Sequence, residues 1–264
     1  MEASNSILDP VDALPARFKI TESSLDTALR YETVIGLIAD RYRPDLDMLE
    51  VGAGSAGITQ FLEHPITAVD PAFHRTDERR TRFVTQVVGR ADDLPFSDAS
   101  FDIVLSLEML EHIPAAERRT ALGEMQRVLR PGGRMIVTFP ADAAALELDR
   151  WVNDAYRRKS GHDHPWASEH LEMGLPDSVE METVAREMLG DQGTVSVQRH
   201  MWAPVHKVVH GLYTGRRLSK LTRPLGLHTR PAAHALFAAG RRLHGRTPAY
   251  RTILIVDKHP GTAR

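Results

Sequence analysis

The 264-residue sequence contains no cysteine, which excludes disulfides, a thiolate-ligated metal and a thiol nucleophile together. It has no apolar run of membrane-spanning length: a segment such as Ile103–Leu107 falls far short of the roughly 20 residues a transmembrane helix needs. The opening MEASNSILDPVDALP is acidic and polar, and no basic stretch leads into an apolar one. A secretory signal is therefore not expected, and the cytoplasm is the default location. Repeats and low-complexity tracts are missing as well. One further absence is local. From Gln192 to Val256 there is no Asp or Glu.

What remains is an ordinary globular composition, 42% hydrophobic and 26% charged, in a length that suits one large domain or one domain with an insertion. The formal net charge of −2 hides a division. Of the 35 acidic residues, 34 lie at or before Asp191 with 20 of the 33 Lys and Arg, a formal −14, and the other 13 basic residues follow. Residues 199–251 hold 11 Lys and Arg and 6 His, interleaved with Leu, Val and Phe. Such a segment suits an anionic membrane surface, an RNA backbone, or a solvated helical face against the acidic part of the chain. No paired stacking aromatics accompany it, which argues against nucleic acid.

Hydrophobic periodicity orders the elements. Arg30 to Ile38 has helical spacing, and Pro44 ends that segment. Met48–Val51 reads as a strand, followed by a glycine turn and an amphipathic helix carrying Ile58, Phe61 and Leu62. Further strands are expected at Ile66–Val69, Phe83–Val88, Asp102–Leu107 and Met135–Phe139. A helix from about Pro114 to Leu129 would stop at Gly132-Gly133, a left-handed cap. Thr194–Gln198 and Tyr250–Val256 look like two late strands. Between them, two amphipathic helices are marked by Val205, Val208, Val209 and Leu212, and by Leu236, Phe237, Gly240 and Leu243. The alternation predicts an α/β, Rossmann-like, doubly wound sheet with helices on both faces. The expected organisation is an N-terminal helical cap over 1–47, a core over 48–199 and 250–258, and a basic helical insertion over 200–249.

Gly52-x-Gly54-x-x-Gly57 lies between a strand and a helix, where glycines allow a tight turn and close approach of a nucleotide. Alone, the pattern fits nicotinamide or flavin dinucleotides as well as S-adenosylmethionine, and Asp70 would hold ribose hydroxyls in each case. Further along, Glu108, Glu111 and His112 stand at i, i+3 and i+4. On a helical turn all three would share a face and could chelate a hard ion such as Mg²⁺, or supply a general base. Gly161–His170, with His162, His164, Trp166 and His170, reads as a further pocket wall, with a solvated loop as the alternative.

Four blocks in order, LEVGAG (49–54), AVD (68–70), LPFSDASFDIVLSLEMLEHI (94–113) and LRPGGRMIV (129–137), resemble the class I S-adenosylmethionine-dependent methyltransferases. The likeness is to the subgroup related to ubiquinone-pathway enzymes. The resemblance implies a seven-stranded sheet whose reversed last strand is Tyr250–Val256. It assigns Glu50, Gly52, Ala53 and Gly54 to the methionine and ribose part of S-adenosylmethionine, Asp70 to the ribose hydroxyls, and Leu107 to the cofactor wall. At the adenine end it assigns Ala91. The family often has an acid where this chain has Arg90, so Asp92 is the expected acceptor for the adenine amine. Glu-x-x-Glu-His also resembles the metal motif of 2′-O-methyltransferases acting on small-RNA ends, where a later His completes the site. That likeness gives Glu108, Glu111, His112 and His170 as Mg²⁺ ligands, and His112, Glu111 and His164 as catalytic groups.

HPWASEHLEMGLPDSVE (164–180) and Pro248-Ala249-Tyr250-Arg251 are similar to methyltransferases of polysaccharide and cell-envelope biosynthesis. The expected activity is therefore O-methylation of a sugar hydroxyl on an oligosaccharide, polysaccharide or glycolipid, with peripheral contact to anionic membrane through the basic segment. The alternatives are an RNA-end 2′-O-methyltransferase, a nicotinamide-dependent oxidoreductase and a non-catalytic cofactor-binding protein.

Overall fold

The computed structural model describes residues 22–54, 57–60, 62, 64–73, 83–204, 206–207 and 247–261, and the side chains of these except 22–29 and 60. The basic-insertion markers Val205, Val208, Val209, Leu212, Leu236, Phe237, Gly240 and Leu243 lie outside the described residues. Among the described residues, seven strands form one sheet: β1 Met48–Val51, β2 Ile66–Asp70, β3 Val84–Val88, β4 Phe101–Leu107, β5 Leu129–Pro140, β6 Gly193–Trp202 and β7 Ala249–Lys258. Their order is β3-β2-β1-β4-β5-β7-β6. β1, β2, β3, β4 and β5 pair in parallel, while β7 runs antiparallel to both β5 and β6. The reversed last strand expected from the motifs is present.

A sheet covered on both faces needs apolar residues at every position, and the strands supply them with period two. Val104, Val137, Leu254 and Val256 face one core, which is closed by α2 Ala115–Val128 and α5 Ser178–Leu189 through Leu122, Met125, Met181 and Leu189. Ile103, Leu105, Ile136, Ile253 and Ile255 face the other, closed by α1 Glu22–Ile38 through Tyr31, Val34, Ile35 and Ile38. A third, smaller cluster joins α3 Asp142–Ser160 and α4 Pro165–Met173 to Tyr250 at the start of β7, through Leu148, Val152 and Ala167. Gly161, at φ +79°, caps α3 and turns the chain into α4. This two-helix lobe brings Asp149, Glu169 and His170 beside the strand ends.

Two local expectations change. Among the described residues, the segment after the glycine turn is a 3-10 turn, Gly57–Gln60, that buries Ile58; Phe61 lies outside the described residues. The helix before β5 ends at Val128, and its C-cap residue Leu129 is already extended. Gly132, at φ +80°, is thus no helix cap. It serves an irregularity inside β5, where the pairing with β4 jumps from Phe101↔Leu129 to Ile103↔Arg134. A side chain at Gly133 would press against the Asp102 carbonyl at 2.8 Å, so the strand can pass there only as glycine.

No helix among the described residues is long and apolar enough to cross a membrane. The two-faced core makes a directional prediction for stability. Leu254→Ala, in the fully buried centre of β7, should lower unfolding free energy in urea by about 2–5 kcal/mol. Val88→Thr, on the exposed edge strand β3, should stay within about 0.5 kcal/mol of the parent.

Candidate active site

In an open α/β sheet the ligand crevice forms outside the carboxyl ends of the strands, where neighbouring connections leave in opposite directions. Here β1 has β2 on one side and β4 on the other, and a cavity of about 560 Å³ opens at their ends. Its wall includes Gly52, Asp70, Ala91, Asp92, Glu108, Met109, His112, Glu117 and Glu169. Such a volume is in the range of small-molecule sites.

The glycine turn beside it needs backbone conformations and close approaches that favour glycine. Gly52, Gly54 and Gly57 all have positive φ, at +77°, +57° and +50°. A Cβ on Gly52 would run into the Met109 side chain, and one on Gly57 into the Glu50 carboxylate. Asp70 stitches the turn from below: its Oδ2 accepts from Gly54 N at 2.9 Å and its Oδ1 from Ala72 N at 2.9 Å. The carboxylate also faces the cavity, the position from which it can reach a ribose. Gly54 and Ala53 stand half-buried beside Gly52 in the same turn.

Glu50 and Leu107 are placed differently from the expectation. Both are buried, at 1% and 4% exposure, and neither is on the cavity wall. Leu107 belongs to the core under α1. Glu50 Oε2 accepts from Ile58 N at 2.7 Å, so it clamps the far end of the glycine turn. Burial pushes this carboxyl up to about 7, against the lowering effect of the Ile58 N–H.

At the end that the motifs assign to adenine, Arg90 grips Asp92 with two parallel hydrogen bonds, Nε–Oδ1 at 2.8 Å and Nη2–Oδ2 at 3.0 Å, and reaches Glu117 at 2.8 Å. The guanidinium holds Asp92 below the usual carboxylate range. Asp92 and Ala91 both line the cavity. Asp92 is thus an ionised acceptor whose orientation Arg90 fixes.

The opposite end departs from the helical-face expectation. Glu108 sits at φ +59°, a left-handed backbone that costs a non-glycine residue on the order of 1–3 kcal/mol. The helical turn begins only after it, as a 3-10 turn over Leu110–His112. Glu108 therefore does not join Glu111 and His112. Its carboxylate accepts from Thr138 Oγ1 at 3.0 Å and from Arg251 Nε at 2.6 Å. Arg251 is 3% exposed, so the ion pair is nearly dry.

Glu111 is fully buried, and neither carboxylate oxygen has a hydrogen-bond partner. Burial, and then the charge of Glu108, push its carboxyl well above the usual range, against Arg30 and Arg251. His112, on the cavity wall, has Nδ1 3.2 Å from Glu169. Burial and the neighbouring His170 lower its pKa, outweighing Glu169. His170 in turn has Nδ1 2.9 Å from Asp149, whose other oxygen accepts from Tyr250 OH at 2.8 Å. One donor atom from each of Glu111, His112 and His170 lies within 4.8 Å of the other two.

Two nitrogens and one carboxylate do not suit Mg²⁺, which favours near-octahedral oxygen ligation. The four-residue Mg²⁺ set is not assembled. His164 is not assembled with the site either: its ring stacks edge-on against Tyr156 and Trp166, at 4.8 and 4.6 Å between centroids, away from the cavity wall. In the His-rich segment it is Glu169 and His170, on α4, that approach the chemistry.

Residues 49–137 match the family model described as a methyltransferase domain. A phthiotriol/phenolphthiotriol dimycocerosates methyltransferase of Mycobacterium tuberculosis is 32% identical over 170 residues, 56% of this chain and 62% of the relative. An O-methyltransferase of Aspergillus nomiae is 33% identical over 96 residues, 33% of this chain and 42% of the relative. A crystal structure from Galdieria sulphuraria, described as a sarcosine dimethylglycine methyltransferase, superposes with a TM-score of 0.54 at 16% identity, over 93% of this chain and 94% of that one. The match places a methyltransferase domain over residues 49–137, and the chain has the fold of the solved methyltransferase. It spans less than two thirds of the length of the curated relatives, and the structural likeness concerns the fold of the methyltransferase domain alone.

Sequence reasoning missed Glu169, Asp149, Tyr250 and Arg251 as site residues, although the Tyr250-Arg251 pair stood in a segment that already drew notice. Their roles depend on contacts 21 to 143 residues apart in the chain, which no local motif displays.

The buried clamp has a consequence for stability. Glu50 binds its proton more tightly folded than unfolded, so the parent should lose stability as pH rises from about 4.5 to about 7, then level off. Glu50→Gln, which keeps an acceptor for Ile58, should remove that slope and gain on the order of 3 kcal/mol at pH 8. Urea unfolding across this pH range measures it, and parallel curves for the two proteins would show that Glu50 is not the group responsible.

Proposed function

We propose that this protein transfers a methyl group from S-adenosylmethionine to a hydroxyl, and that the acceptor is a sugar hydroxyl of an oligosaccharide, polysaccharide or glycolipid. The observation that carries the reading is the single cavity that joins the Gly52 turn and Asp70 to His112 and Glu169. A nucleoside-binding end and a proton-accepting end share one space.

When bound, S-adenosylmethionine supplies an electrophilic methyl on a sulfonium. The chain's own residues do the rest. Gly52, whose turn packs directly on Met109 because it has no Cβ, borders the space for the methionine part, Asp70 offers a carboxylate to the ribose, and Asp92, set by Arg90, accepts at the adenine edge. The reaction is an in-line displacement, so the principal contribution is placement of two reactants. A hydroxyl acceptor must also lose its proton. His112 is kept neutral near pH 7 by burial and by His170, and Glu169 holds its Nδ1, leaving the second nitrogen's lone pair for that proton. This pair favours oxygen over an amine acceptor, in line with the O-methyltransferase among the relatives. The sugar rests on the similarity of residues 164–180 and 248–251 to envelope-polysaccharide methyltransferases. Peripheral contact with anionic membrane through the basic segment belongs to the same proposal.

Calorimetry with S-adenosylhomocysteine and NAD separates this reading from an oxidoreductase; binding of NAD alone overturns it. Asp70→Ala should weaken S-adenosylhomocysteine by at least about 10-fold, a loss expected for a charge-assisted contact. Radiolabelled methyl transfer into envelope glycans and small RNAs tests the acceptor.

With a true acceptor, His112→Ala should lower kcat by about 10²- to 10⁴-fold, with cofactor affinity nearly unchanged. Parent activity should persist below pH 6.5 and fall only as His112 takes a proton. An unaltered kcat in His112→Ala removes the residue from the mechanism.

A further inference from the structure

Arg118, in the first turn of α2, is 4% exposed, and burying a guanidinium is costly unless its donors are used. Among the described residues, its hydrogen bonds go to backbone carbonyls. Nε donates to Leu110 O at 2.9 Å, and Nη2 donates to Met173 O at 3.4 Å and to Gly174 O. Burial lowers the Arg118 pKa, with Glu111 and Glu180 acting in the opposite direction. Its neighbour Arg119 instead meets Glu187 at the surface. The three carbonyls belong to two segments of the acceptor end. Leu110 opens the 3-10 turn that ends in His112. Met173 and its C-cap Gly174 close α4, whose last turns carry Glu169 and His170. The final carbonyls of a helix lack intrahelical partners, and a cation suits that end of the helix dipole. One planar group thus joins the two segments on which His112 and Glu169 meet at 3.2 Å.

We infer, on the proposed role of His112 as base, that Arg118 is the positioning residue for that base: by fixing the Leu110–His112 turn against the C-terminal end of α4, it sets the approach of Glu169 to His112. The His112 and Glu169 side chains are 34% and 45% exposed, and a pair so open to water holds little geometry by itself. The backbones that carry it must be held from elsewhere. Arg118 does this from the buried side, with donors in a rigid fork that a lysine lacks. The tautomer of a neutral imidazole follows the hydrogen bond that its other nitrogen makes. With Glu169 in place, the proton of His112 stays on Nδ1 and Nε2 keeps the lone pair that faces an acceptor. Once the turn and the end of α4 drift apart, the proton is free to move to Nε2, and the base is lost without any change in His112 itself.

Long-range proton–nitrogen spectra of the histidine rings read the tautomer directly, on the full chain saturated with S-adenosylhomocysteine at pH 8. The His112 signal is assigned by its loss in His112→Gln. In the parent, the proton should sit on Nδ1. Arg118→Met should move roughly half or more of the population to the Nε2–H form, with S-adenosylhomocysteine affinity within about 3-fold of the parent. With an acceptor from the methyl-transfer screen, kcat should fall about 10- to 100-fold in this variant while KM for S-adenosylmethionine stays near the parent value. Arg118→Lys, which keeps the charge but not the fork, should recover part of the Nδ1–H signal. Arg119→Met, at the surface pair with Glu187, should leave the spectrum as it is. Circular dichroism shows which variants fold. A folded Arg118→Met with the parent spectrum overturns the positioning role, and where that variant does not fold, a parent spectrum in Arg118→Lys does the same. A parent His112 already protonated on Nε2 sinks the proposed base and the role of Arg118 with it. Nδ1–H in the parent and an unchanged Arg118→Met sink the role of Arg118 alone.

Discussion

The ion pair between Arg251 and Glu108 is the constraint from which the rest of the reaction end takes its shape. It joins the reversed strand β7 to the residue that follows β4, across the intervening β5, at 2.6 Å and almost out of water. A pair so placed is a weak source of net stability, because desolvation offsets its attraction, but losing one partner leaves a stranded charge at a cost of about 3–5 kcal/mol. Its value is positional. With Glu108 tied to Arg251 and Thr138, the backbone there adopts φ +59°. The following 3-10 turn then starts in a direction that sends Glu111 inward and His112 to the cavity wall. The reversal of β7 thus does more than complete a sheet. A parallel strand in that slot would present Tyr250 and Arg251 at the opposite edge.

Four carboxylates sit buried or nearly so around this edge, and their different compensations divide the labour of the site. Glu50 is answered by a backbone N–H and holds the glycine turn. Glu108 is answered by a guanidinium and holds the chain direction. Asp149 is answered by a tyrosine hydroxyl and an imidazole and holds His170. Glu111 alone of the four has no hydrogen-bond partner. Three carboxylates whose partners are built in serve architecture. The fourth, clustered with His112 and His170, is the one that burial holds toward its protonated form. Groups with so perturbed a titration cluster at functional sites, and the other three carboxylates are already compensated.

Most of the sheet was legible in the sequence because period-two apolar patterning and glycine placement are local signals. Asp102–Leu107 declared a doubly covered strand, and Gly52, Gly54 and Asp70 declared the crevice at its neighbour's end. What the sequence concealed is conformational and long-range. Nothing in Glu108-x-x-Glu111-His112 announces a left-handed residue at its first position, so the helical spacing placed three side chains on one face when only two converge. Gly132 read as a helix cap for the same reason: the choice between a cap and a strand irregularity depends on pairing with β4, not on its neighbours in the chain. Within the His-rich segment, helical phase in α4 brings Glu169 to the cavity wall and His170 beside His112, and leaves His164 against Tyr156 and Trp166.

In the proposed reading, the division between donor and acceptor ends also tells where specificity resides. The donor end is made by strand termini and the turns directly attached to them, which the fold fixes and which many unrelated acceptors can share. The acceptor end is made by α3, α4 and the first residues of β7, a lobe with its own small core around Tyr250, Leu148 and Val152. Because Tyr250 both packs that core and donates to Asp149, the lobe cannot shift without moving His170, and His170 cannot move without altering the surroundings of His112. A change of acceptor in this scaffold is therefore coupled to a change in the activating group. The two-helix lobe and the histidines form one mechanical unit, and Met109, which lies against Gly52 and accepts from the His112 N–H, links that unit to the glycine turn.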